Sequence, residues 1–208
     1  MRITTLLNRE FLTLLLAFLV IASAVAWVIE NPPANEDFAS ISVLGPRMDA
    51  SVYFPNNDTT VTKNEPIQWY VQVYNHEKGL QLFSVYVLLA NLTTTSPNAT
   101  SNTPSGGTLL AQYYRAMEKD ETWTIPLSWS ITNETTVSGT TTVKNVMING
   151  KIVNGTNISA LPTVTVPPLR FRMVIELWSY SVESSSYIFS FISNGILDSQ
   201  FNQIWFNS

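Results

Sequence analysis

Between Phe11 and Ile29 the chain reads FLTLLLAFLVIASAVAWVI, nineteen positions of which only Thr13 and Ser23 are polar. A helix of that length rises about 28 Å, close to the thickness of a bilayer's hydrocarbon core. A single span must satisfy its own backbone groups in lipid, which only a helix can do. Arg2 and Arg9 precede the segment, and Glu30, Glu36 and Asp37 follow it. The positive-inside bias then predicts a cytoplasmic N-terminus and an extracellular C-terminal domain, with Trp27 at the outer interface. A cleaved signal peptide is the competing reading, since Ala22-Ser23-Ala24 offers a small-residue site. The apolar run is longer than a usual signal core and continues past that site, which favours a retained signal-anchor.

After the Pro-containing stretch Glu30 to Asp37 the period changes from helical to two. Ile67, Trp69, Val71 and Val73 alternate with Gln68, Tyr70, Gln72 and Tyr74, the pattern of a strand with one apolar face. Phe83, Val85, Val87 and Leu89 repeat it beyond the turn Asn75 to Gly79, so the two runs are expected to form a β-hairpin. Further strands are expected at 38–44, 51–54, 108–115, 121–129, 140–148, 151–153, 169–179, 186–191 and 203–206. Residues 161–168 read as extended, 93–107 as an exposed low-complexity loop, and Asn149-Gly150 as a two-residue hairpin turn. Strands at this spacing predict an all-β, Ig-like β-sandwich ectodomain preceded by one transmembrane helix. The expected division is a cytoplasmic N-terminus (1–10), the transmembrane helix (11–29), a linker (30–37) and the extracellular β-sandwich (38–208).

Composition narrows the chemistry. Charged residues make up 12% of the 208, and the apolar segment, only nineteen of those positions, explains little of that deficit against the usual quarter. Their place is taken by 18 Asn, 23 Thr and 21 Ser. There is no cysteine and one histidine, His76, which excludes a disulfide framework, a thiol nucleophile and a copper centre built on two histidines and a cysteine. A net charge of −4 without a basic cluster argues against nucleic-acid binding. No cofactor is expected.

Six Asn-x-Ser/Thr sequons lie at Asn57, Asn91, Asn98, Asn133, Asn154 and Asn157, a mild excess over the ~3.6 that chance would supply, all in polar turn-like stretches where a glycan fits. Together with the missing cysteines they point to an exported glycoprotein of an archaeal or bacterial surface. His76, beside Glu77, reads as a solvated turn residue. The cluster Glu118, Asp120 and Glu121 could serve an exported hydrolase, but reads as a charged loop. Asn56-Asn57-Asp58 reads as turn chemistry rather than a calcium loop. Tyr70, Tyr74 and Tyr86 fall on faces opposite the apolar stripes, and Arg170 and Arg172 share a polar face with Glu176 as a plausible ion-pair partner. The five are candidates for a partner surface: the arginines for an acidic partner or lipid headgroups, the tyrosines for a protein partner or a sugar, unless a second sheet or loop covers the aromatic face.

Lys63-Asn64-Glu65, the turn Tyr74-Asn75-His76-Glu77, the run FRMVIELW from Phe171 to Trp178 and the closing Ile204-Trp205-Phe206-Asn207 resemble the outward β domain of an uncharacterised archaeal membrane-protein family. The resemblance spans roughly 51–208 and implies no activity. That family has several membrane helices where this chain has one. The expected role is therefore structural or interactive: an accessory subunit of a membrane complex or a cell-envelope component, partnered by the bilayer through 11–29 and by other membrane or surface-layer proteins. A glycan-binding module and an exported hydrolase are the alternatives.

Overall fold

The computed structural model describes residues 9–31, 37–161, 170–193 and 196–208. All but the first residue of the expected extended run 161–168, residues 32–36 of the linker and most of the first ten residues lie outside these. The chain divides into two units, Met1–Glu36 and Asp37–Ser208.

The first unit contains helix α1, Arg9–Glu30. Its window Phe11–Glu30 has a mean hydropathy of 2.7 and is long and apolar enough to cross a membrane, as either an anchor or a signal sequence would be. Leu, Val, Ile and Phe side chains are exposed on every side of it, a distribution suited to lipid rather than water. Ser23 returns its hydroxyl to the Val20 carbonyl (2.9 Å), which satisfies the polar group inside the helix. Asn31 ends the helix by donating its backbone N–H to Trp27 O (2.8 Å).

The second unit is a sandwich of two antiparallel sheets. One sheet has the order β1-β2-β5-β6-β7 and the other β12-β8-β3-β4, with β9 added beside β8. The strands are β1 Ala39–Leu44, β2 Ile67–Asn75, β3 Gln81–Asn91, β4 Thr108–Met117, β5 Glu121–Val137, β6 Thr140–Ile148, β7 Lys151–Ala160, β8 Phe171–Ser181, β9 Ser186–Ile188 and β12 Gln200–Phe206. Between β9 and β12 a small ribbon, β10 Phe191–Ser193 with β11 Ile196–Asp198, pairs by itself. The connectivity is immunoglobulin-like. β1, β2 and β5 occupy the places of strands A, B and E, while β3, β8 and β12 occupy those of C, F and G, with β4 as C′. The β6–β7 hairpin extends the first sheet on the edge where strand D would lie.

The predicted β2–β3 hairpin does not form. β2 pairs with β1 and β5, whereas β3 pairs with β4 and β8. The connection is an arch from one sheet to the other. Alternation identifies the buried face of a strand but not its neighbour, and the two apolar stripes meet across the core instead of side by side. Asn75 is buried at the arch and holds it, its side-chain amide donating to the carbonyls of Gly79 (3.2 Å), Met117 (3.1 Å) and Glu118 (3.0 Å). The expected strand at 51–54 is also absent. Phe54 instead turns inward against Trp69, with ring centroids 5.8 Å apart, and a 3-10 turn, Pro55–Asn57, follows.

The core lies between the sheets, centred on Trp69, Trp129, Phe83, Phe171 and Phe206, all below 2% exposure. Gly45 is required where it stands, because a Cβ there would meet the Val52 carbonyl oxygen at 1.8 Å. The Asn149-Gly150 turn has φ of 47° and 78°, the positive pair that a two-residue hairpin demands. Asn149 does more than turn the chain. Pro126 of β5 lies just past the end of β6, where no ladder partner needs its missing N–H. There the Asn149 side chain accepts from Ser128 N (2.7 Å) and donates to Pro126 O (3.0 Å).

Candidate interaction surfaces

The outward side of the first sheet is built by register. Successive cross-strand rows over β1, β2 and β5 are Ser40–Tyr74–Thr122, Ser42–Gln72–Thr124 and Leu44–Tyr70–Pro126, and Gln68 beside Ser128 completes the face. None of these side chains is charged. Tyr70 and Tyr74 are half-buried within it. The Gln72 amide donates to Thr124 Oγ1 (3.4 Å), a ladder of the kind that steadies a polar sheet face.

Tyr86 lies elsewhere. It points out of the other sheet and stacks on Trp178 with ring centroids 4.4 Å apart, so the three tyrosines form no common face. Part of that second outer face is covered by 93–107, the stretch expected to be an exposed loop. Arg172 donates from Nη1 to Ser96 Oγ and from Nη2 to Thr94 O, both at 2.7 Å. Ser105 N donates to Glu176 Oε1 at 2.5 Å. Leu88, Ala90, Val174 and the half-buried Tyr86 form a second small apolar cluster on the same face.

Arg172 is therefore not a surface residue: it is 3% exposed, its guanidinium 4.9 Å from the Trp205 ring centroid. The plausible Arg172–Glu176 ion pair does not form either. Four residues along a strand separate them by about 13 Å, and each is engaged by its own partners. Burial pushes the Glu176 carboxyl above its ordinary pKa, against the opposing hydrogen bonds from Ser105 and Trp178. Arg170 turns inward as well, donating from Nη1 to Thr141 Oγ1 (2.7 Å). Of the five candidate surface residues, Tyr70 and Tyr74 alone share an open face.

At the end where the second unit begins, His76 is more than a solvated turn residue. It pairs through Nδ1 with Asp120 Oδ1, lies stacked beside Tyr74 (5.9 Å) and contacts the ring of Phe38 (5.1 Å). The Tyr74 hydroxyl also donates to Asp120 (3.2 Å). The hydrogen bond from His76 holds the Asp120 carboxyl below its usual range. Glu121 is taken by Arg115 and also accepts from Glu118 N (2.9 Å). Of the three carboxylates on this turn, Asp120 and Glu121 are thus held by different partners, His76 and Arg115, and Glu118 is exposed. No group of three or more metal-ligating side chains occurs among the described residues.

Beside this network Asp37 pairs with Lys78 (2.9 Å), and Glu77 is 7% exposed. Burial first, and the Asp37 carboxylate second, raise the Glu77 pKa above its ordinary 4.5. A raised carboxyl pKa means that the folded state prefers the proton. The stabilisation is full below about pH 4.5 and is lost as pH rises through the folded value. Glu77→Gln is expected to raise the thermal midpoint at pH 7 and leave it unchanged at pH 4. Melting curves of the two chains by tryptophan fluorescence at both pH values check this, and equal midpoints at pH 7 would refute it.

The six sequon asparagines differ in what their side chains do. Asn57, Asn98, Asn154 and Asn157 are exposed, and Asn133 is half-buried at a bulge of β5. Asn91 is a structural hub, accepting from the backbone N–H groups of Thr93 (3.0 Å) and Thr94 (2.8 Å) while its amide donates to Ser159 O (2.6 Å). The Thr156 hydroxyl, which completes the Asn154 sequon, is buried and donates to Val143 O (2.8 Å). Asn91→Ala is expected to lower stability by about 1–2 kcal/mol and Asn154→Ala, at an exposed position, by less than about 0.5 kcal/mol. Urea unfolding of both variants, without added glycan, measures the difference.

No family model matches the sequence, and no curated protein matches it. The resemblance to an uncharacterised archaeal family thus stands on its four motifs alone. Among solved structures the chain is similar to a CARDB domain from Pyrococcus furiosus in complex with di-metal ions, with 10% identity, a TM-score of 0.37 and coverage of 82% of this chain and 88% of that one. It is also similar to part of a Bacteroides uniformis β-glucuronidase, at 9% identity and a TM-score of 0.30 over 80% of this chain and 12% of that one. At these scores neither likeness carries any chemistry across.

Proposed function

We propose that the chain is a non-catalytic interaction module, held at a membrane by α1 with its β-sandwich outside the cytoplasm. In this reading it serves as an accessory subunit of a membrane complex or as a cell-envelope component. The observation that carries the reading is the charge-free outer face of β1, β2 and β5. Charge normally covers a free surface. A flat sheet face of Ser, Thr, Gln and Tyr has little desolvation cost when it meets another surface, and protein interfaces are depleted of charge and enriched in tyrosine at their centres. Purification from native membranes in mild detergent tests this. A second membrane or surface-layer protein is expected to co-elute, and Gln72→Lys, which places a charge in the middle row, to release it. Recovery of the unsubstituted chain as a lone monomer would count against the reading.

Tyr70 favours a second reading, a glycan-binding module. This tyrosine stands between Leu44 and Pro126 in one cross-strand row, and an aromatic ring flanked by apolar neighbours is a surface on which a sugar ring can stack. Retention on immobilised cell-surface polysaccharide, lost in Tyr70→Ala, would support it.

A further inference from the structure

The sandwich has two unlike ends. Asp37, where the second unit begins, precedes β1, and Ala39 pairs with Asn75, which in turn pairs with Glu121. The β2–β3 arch, the β4–β5 turn and the β8–β9 turn therefore gather at this one end. Large apolar side chains are exposed there: Leu80 (59%) on the arch and Val182 (83%) on the β8–β9 turn, with Leu82 (40%), Tyr114 (57%) and Tyr180 (37%) beside them. Tyr187 joins the last two, its ring 5.3 Å from that of Tyr114 and 5.5 Å from that of Tyr180. None of the six sequon asparagines lies on these turns.

From this geometry we infer that this end of the sandwich docks on the headgroup interface of a lipid bilayer, with Leu80 and Val182 as its inserting tips. The inference rests on the membrane-anchor reading above. Four observations favour lipid over protein as the occupant. First, only six residues lie between Glu30 and Asp37, seven Cα steps with a reach of no more than about 25 Å in any conformation. Second, the two most exposed side chains stand at the tips of turns, a convex shape that a soft interface accommodates. Two concave sites lie away from this end, one beside β4 and the β6–β7 turn and one beside Asn91 and Leu161. Third, tyrosines flanking aliphatic side chains are the composition of a membrane–water interface. Fourth, the exposed charges here are mixed, Lys78, Arg115 and Lys119 against Glu118, Asp120 and Glu183. Neither sign dominates, so docking is apolar and indifferent to lipid charge.

The absence of cysteine makes every introduced cysteine a unique label. Leu80→Cys, Val182→Cys and, at the opposite end, Val137→Cys are each labelled with an environment-sensitive fluorophore in the full chain. Each is then reconstituted as single copies into phosphatidylcholine nanodiscs, with unchanged thermal midpoints confirming folding. Labels at 80 and 182 are expected to be quenched several-fold more by a headgroup-borne nitroxide, and several-fold less by iodide, than the label at 137. Adding phosphatidylglycerol is expected to change neither. Iodide quenching equal to that at 137 overturns the docking while leaving the anchor intact. Shielding from both quenchers shows a protein contact and overturns the lipid assignment. A chain that does not co-elute with the discs overturns the anchor reading, and the docking falls with it.

Discussion

Replacing Trp69 with alanine is expected to lower the unfolding free energy by about 3–5 kcal/mol, the range for removing a fully buried aromatic. Trp69 is 0% exposed and is the hub of the core, with ring contacts to Tyr53 (6.4 Å), Phe54 (5.8 Å) and Trp129 (5.2 Å). Its indole N–H also donates to Tyr53 O (2.6 Å), fixing the segment that takes the place of the expected 51–54 strand. Trp69→Phe separates the two contributions. It keeps most of the ring volume but leaves the Tyr53 carbonyl without its donor, for an expected loss of about 1–3 kcal/mol. Urea unfolding measures both, with an unchanged m-value showing that the loss belongs to the native state. A smaller loss for alanine than for phenylalanine would contradict this account of the core.

Arg172→Ala is expected to lower stability by about 2–4 kcal/mol, because two charge-assisted hydrogen bonds and a ring contact disappear from a buried site. It is also expected to unlatch 93–107, which limited proteolysis would register as faster cleavage within that loop. Arg172→Met tests the cause. Its side chain fills much of the same space without a buried charge, and such replacements are often close to neutral. Stability should recover in large part, whereas loop cleavage should remain fast, since no donor reaches Ser96 or Thr94. If cleavage returned to the unsubstituted rate with methionine, the loop would be held by packing and not by the guanidinium.

Helix α1 and most strands were legible because periodicity reports burial directly. Thr140–Ile148 matches its expected span, and the Asn149-Gly150 turn falls where its residues require. Three things were hidden for physical reasons. The partner of a strand is not encoded in its alternation, so β2 and β3 read as a hairpin and form an arch. The polar stretch Ser130 to Val137 continues β5 past its apolar half, and the polar half of β7 likewise escapes a search for apolar stripes. Finally, Arg172 and Glu176 carry the signature of a solvated strand face. Only the placement of a distant, low-complexity loop, seventy-odd residues earlier, makes them interior groups. The surface tyrosines were recognisable singly, but which of them share a face depends on the sheet to which each strand belongs.

The strand order also governs when the sandwich can exist at all. β12 closes the second sheet against β8, and its Asn202 reaches across to the Ile41 carbonyl of β1 (2.8 Å), 161 residues away in sequence. Val61 N likewise donates to Asn207 O (2.8 Å). Such long loops must close before their contacts stabilise anything, which places the fold among slow, millisecond-to-second folders. A ribosome adding about 5–20 residues per second leaves β1 and β2 without β12 for several seconds or more. During that interval the apolar stripe of β2 faces only an incomplete second sheet, β3 and β4 first and β8 later, so Trp69 and its neighbours are left partly uncovered until β12 arrives.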